Sequence, residues 1–124
     1  METVIDLFNA IRGKFPGISE RADEIHIRLF GETDPKFAYS WFESLANVLN
    51  AEMSKEVEAR VHAPLFSYIS GSFGVASPEV RNCIDVAFVE NLFWQVPGIK
   101  CAPYWQQLPP TLRKLYIEFH HHEP

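Results

Sequence analysis

Residues 77–97 read SPEVRNCIDVAFVENLFWQVP, and the fold class follows from this stretch. Ser77 suits an N-cap, and Pro78 suits the first helical position, where its missing N–H is no loss. Val80, Cys83, Ile84, Ala87, Phe88, Asn91 and Leu92 recur at steps of three and four, which predicts one buried helical face. From Val86 onward Val89, Phe93, Trp94 and Val96 widen that face until most sides are apolar, the pattern of a helix enclosed by others. Pro97-Gly98 ends it. The stretch predicts a helical domain packed around a central helix near 78–96 and says nothing about an activity.

The rest of the chain agrees with a single domain. Its 124 residues are 47% hydrophobic and include ten Phe, enough for a bulky core without staples. Net charge is −5, with no basic stripe, which argues against nucleic acid as a partner. The acids concentrate in the first half of the chain. Met1-Glu2-Thr3 leads straight into an amphipathic segment, unlike a secretion signal, and no long uncharged apolar run suggests a membrane span. A cytoplasmic protein is expected. Cys83 and Cys101 then read as reduced thiols, with a single disulfide as the alternative.

Five or six helices are expected in one all-α domain, residues 1–124. Val4, Leu7, Phe8, Ile11 and Phe15 share a face over Thr3–Lys14. Ser19 as cap and Gly31 past the end bracket a second helix, with Ile18, Ala22, Ile25 and Leu29 as its stripe. Ile25 to Leu29 also alternates as a strand would, but a lone strand has no partner here. Asp34-Pro35 opens a third helix to about Asn50, carrying Phe37, Trp41, Leu45, Val48 and Leu49. A fourth helix from Ser54 through Ile69 contains Pro64 and should bend or divide near Ala63. Gly71, Gly74 and Ser77 mark a loop, residues 98–108 an irregular stretch, and Pro109-Pro110 the start of a last helix with Leu112, Leu115, Tyr116 and Phe119 inward.

Motifs for catalysis are missing from this reading. Gly71-Ser72-Phe73-Gly74 lacks the lysine of a phosphate loop, and there is no nucleophile elbow or zinc helix. Glu118 and His122 share a spacing that can hold a metal, but two ligands do not complete a tetrahedral site, so no metal or cofactor is expected. Glu90, in the central helix, needs a positive partner such as Arg113 if it is partly buried. The acids Glu20, Asp23, Glu24, Glu32 and Asp34 fall within fifteen residues. Such a run is ordinarily a solvated face; it is also where a basic protein partner would bind. Trp41, Trp94, Trp105 and Tyr104 are either core residues or interface anchors.

Val80-Arg81-Asn82-Cys83-Ile84-Asp85-Val86-Ala87-Phe88-Val89-Glu90-Asn91-Leu92, followed by Trp105 to Leu112 and an amphipathic end, resembles a family of small bacterial helical proteins of unassigned function. Phe15-Pro16-Gly17-Ile18 followed by acids is a less specific part of the same likeness. Members of that family look like immunity proteins of polymorphic toxin systems. The resemblance implies an all-α fold, no catalytic residues, and a cognate toxin domain as partner. The competing expectation is a small enzyme or ligand-binding bundle with a site between helices, using His26, His62 or Glu90.

Overall fold

The computed structural model describes residues 2–124. Among them seven α-helices and no strand occur: α1 Val4–Lys14, α2 Pro16–Phe30, α3 Ala38–Ser54, α4 Ala63–Val75, α5 Pro78–Asn82, α6 Gly98–Gln107 and α7 Pro110–His120. The all-α single domain is as expected, with one or two helices more.

Local chemistry sets most of the boundaries. Thr3 and Asp6 close a capping box at the start of α1. Gly31, at φ 85°, ends α2 in the left-handed conformation that glycine adopts without penalty. Asp34 accepts the Lys36 N–H at 2.9 Å and starts the 3₁₀ turn Pro35–Phe37 that leads into α3. Pro64 does divide the expected fourth helix. It sits in the first turn of α4, after a separate 3₁₀ turn at Ala59–His62. Ser77 caps α5 by accepting the Val80 N–H at 3.3 Å, while its hydroxyl donates to the Glu2 carbonyl at 2.7 Å.

The segment read first is helical but shorter and less regular than its periodicity predicts. After α5 the chain continues through a π-helical turn, Cys83–Phe88, and a 3₁₀ turn, Val89–Asn91. It ends at Asn91, five residues before Val96. Phe93 and Gln95 have φ values of 69° and 56°, so residues 92–96 form a tight turn. Asn50 holds that turn from α3: its Nδ2 donates to the Asn91 carbonyl at 2.8 Å, and its Oδ1 accepts the Phe93 N–H at 2.7 Å. The buried Phe93 ring packs edge-on against Trp105 and Tyr116 at 5.8 and 5.4 Å. A left-handed, non-glycine residue persists where its surroundings over-determine it. Here a buried amide and two rings do so.

Val80, Cys83, Ile84, Ala87, Phe88 and Val89 are buried, as their spacing predicts. α3 runs against this segment and also packs on α1, α2 and α6, burying Trp41, Phe42, Leu45, Val48, Leu49 and Met53. Three expectations are corrected. Gly71 and Gly74 lie inside α4, where a Cβ would meet nothing within 4 Å; Leu65, Phe66 and Ile69 bury enough surface to outweigh two poor helix formers. Residues 98–107 form α6 despite Pro103, because Cys101 and Tyr104 are drawn into the core. Ser19 is not a cap but a buried residue of α2, whose hydroxyl donates to the Ile11 carbonyl at 3.5 Å. Cys83 and Cys101 are both buried and free, and burial pushes the Cys83 thiol up to about 12.

Candidate functional site

Three buried polar groupings take up many of the polar side chains, and all three serve packing. Asp23 Oδ1 accepts both the Trp41 indole N–H, at 2.8 Å, and the Arg12 guanidinium. One carboxylate therefore joins α1, α2 and α3. Asn50 is the second, described above. In the third, Glu52 receives Arg21 Nη2 at 3.3 Å and stands 3.2 Å from His62 Nε2. Beside it the Tyr104 hydroxyl donates to the Val57 carbonyl at 2.8 Å, and burial, with Glu52 adding, pushes that phenol up to about 12. His62 and Arg21 line a hollow of about 270 Å³ walled by Phe15, Ile18 and Leu65.

The five acids marked in the sequence separate in the structure. Asp23 is taken by Arg12 and Trp41, and Asp34 by its cap and by Lys36 Nζ at 3.8 Å. Glu20, Glu24 and Glu32 are exposed. Periodicity placed Leu29 on the inner stripe of α2; it is instead 65% exposed, with Ile27 at 46% and Phe30 at 43%. The packed face of α2 consists of Ile18, Ser19, Ala22 and His26, and its last turn runs past what α3 covers. The result is an apolar patch with free carboxylates on the same helix and just after it. The sequence carried one sign of this: in the alternating run from Ile25 to Leu29, a single helical stripe cannot hold every apolar residue.

His26 lies at the inner edge of that patch, against Phe30 and Phe37 at 4.7 and 6.4 Å. Its Nδ1 is buried without a partner. Burial lowers its pKa, against a smaller opposing effect of Asp23. On the far side of the molecule's sequence, Asp85, Glu90 and Glu118 border a hollow of about 210 Å³ with Leu115 and Phe119. Burial raises the Asp85 and Glu90 carboxyls, with smaller additions from Glu118 on Asp85 and from Asp85 on Glu90. The expected tie between Glu90 and Arg113 does not form. Glu90 instead offers its backbone carbonyl to His120 Nε2 at 3.2 Å, and Arg113 lines a different groove.

Glu118 and His122 do not converge either. Glu118 faces Lys114 at 3.9 Å, and His122 Nδ1 lies 2.7 Å from the Glu123 carbonyl. Among the described residues no group of three or more His, Cys, Asp or Glu could hold a metal ion. No described helix is long and apolar enough to cross a membrane.

A family model described as "Domain of unknown function (DUF7674)" matches residues 8–122. The chain belongs to the DUF7674 family. Its likeness to that family spans α1 through α7, well beyond the 80–92 motif and the start of α7. No curated protein and no solved structure matches the chain.

Proposed function

We propose that this DUF7674 member is a cytoplasmic immunity protein that binds a cognate bacterial toxin domain and neutralises it by contact alone. The observation that carries this reading is the outer face of α2. Ile27, Leu29 and Phe30 are exposed beside Glu20, Glu24 and Glu32, none of which has an ion-pair partner among the described residues. Apolar side chains supply affinity at an interface once desolvated, and surrounding charges set the encounter rate and the choice of partner. A basic toxin surface complements this face. Asp23 is not part of it, since the fold already uses both of its contacts.

Co-expression with a toxin domain encoded beside the gene tests the reading. Protection and co-purification are expected. Leu29→Ala with Phe30→Ala should weaken binding by more than about tenfold, the effect of losing one good anchor. Glu20→Lys, Glu24→Lys and Glu32→Lys together should slow association mainly at low salt. Cells that remain unprotected, with no complex formed, would end the immunity reading.

A second reading, ligand binding between helices, draws on one observation: Arg21, Glu52 and His62 meet at the 270 Å³ hollow. Loss of a bound metabolite from purified protein on His62→Gln would favour it.

A further inference from the structure

The largest groove in the described chain lies elsewhere, along the outer face of α7. Pro110, Arg113, Lys114 and Ile117 recur on one side of that helix, and Trp105 of α6 forms the opposite wall of a trough of about 630 Å³. From Pro110 to Glu118 the helix rises about 12 Å, the span of three to four extended residues. One face of Trp105 is packed on Phe93 and Tyr116 at 5.8 and 5.5 Å, so the indole is fixed in place.

Two features of this trough are unexplained by folding. Arg113 pairs with no carboxylate among the described residues, and its Nε is buried without a hydrogen-bond partner, although Glu118 and Glu123 stand on the rim. A buried donor left unpaired costs about 1–3 kcal/mol. The bases also stand at the wrong end of their helix. The first turn of α7 has no acidic residue and Pro109 provides no side-chain cap, yet Arg113 and Lys114 follow directly. A helix start favours negative charge. Local rules broken without compensation inside the chain are found where a ligand supplies the compensation.

We propose that this groove docks an acidic, apolar peptide segment of a protein partner. One carboxylate of the segment bridges Arg113 and the positive end of α7, and a neighbouring apolar side chain lies on Trp105, Pro110 and Ile117. The trough is open along its length, which suits a chain segment better than an enclosed metabolite. The proposal stands apart from toxin neutralisation, because its partner surface has the opposite charge to the one α2 would meet.

The test is a ¹H–¹⁵N NMR titration of the full chain with the acetylated, amidated tetrapeptide FELD. Its uncharged counterpart FQLN and sodium acetate serve as comparisons. Shifts confined to the Trp105 indole and to residues 110–118 are expected. FQLN, and separately Arg113→Gln, should each weaken binding by about tenfold, and Arg113→Lys by less, because it keeps the charge and loses the fork. Three results would each overturn the proposal. These are shifts that are absent or located elsewhere, equal binding of FQLN or by Arg113→Gln, and the same pattern with acetate alone.

Discussion

Asn50→Ala should unfold this protein more easily than its modest size change suggests. The side chain makes two bonds to one turn, and the Phe93 N–H it serves is buried. Stranding that donor costs about 1–3 kcal/mol, and the more accessible Asn91 carbonyl adds roughly 1 kcal/mol as it re-solvates. Releasing the clamp also frees Phe93 to leave its φ of 69°, which withdraws its ring from Trp105 and Tyr116. A loss of about 3 kcal/mol follows. In urea that lowers the midpoint by about 1–2 M with the slope unchanged, and it lowers Tm by about 10 °C. Hydrogen exchange locates the effect, since the Phe93 amide should be protected in the parent and exchange rapidly in the variant. A loss below about 0.5 kcal/mol, or a Phe93 amide equally protected in both, would refute the argument that this amide sets the turn.

Three further perturbations probe other parts of the molecule. Asp23→Ala removes the acceptor of Trp41 and the partner of Arg12 at once, so about 2–3 kcal/mol of stability and the near-UV signal of Trp41 should be lost, seen by circular dichroism. His26→Phe replaces an unpartnered buried Nδ1 among Phe30 and Phe37, and should stabilise by about 1 kcal/mol in urea melts at neutral pH. The folded protein holds His26 below its ordinary 6.5, so parent stability is complete above that value and falls as pH drops below it; the variant should lose this part of the acid sensitivity. Asp85 and Glu90 work in the other direction. Their carboxyls are raised above 3.8 and 4.5, so stability falls as pH rises through the interval beginning at those values, and Asp85→Asn should flatten that fall in melts recorded from pH 4 to 7.

The fold was largely legible because its signals are local. Ser77, Asp34, Gly31 and Pro64 each do what their backbone chemistry dictates, and the stripes of α1, α3 and α5 are buried as spaced. Errors arose where distant contacts overrode local preference. Pro103 would break a free helix, yet Tyr104 reaches the Val57 carbonyl and is 1% exposed, which keeps α6 together. The 92–96 turn was invisible because its cause, Asn50, lies over forty residues upstream. The candidate surface divides in the same way. The acidic run stands out in composition, but the engagement of Asp23 depends on Trp41, and the exposure of Leu29 depends on where α3 stops covering α2. Arg113 showed only as a possible partner for Glu90, and nothing in its neighbours' identities revealed the trough it lines.

The π-helical turn at Cys83–Phe88 has a consequence for how this gene can vary. A wide turn amounts to one residue more than an ordinary helix needs over the same length. Losing a single codon within it would restore regular winding, but it would swing everything downstream by about 100°. Phe88 and Val89 would then leave the interior, and the Asn91 carbonyl would turn away from α3. The segment should therefore exchange one side chain for another far more readily than it changes length.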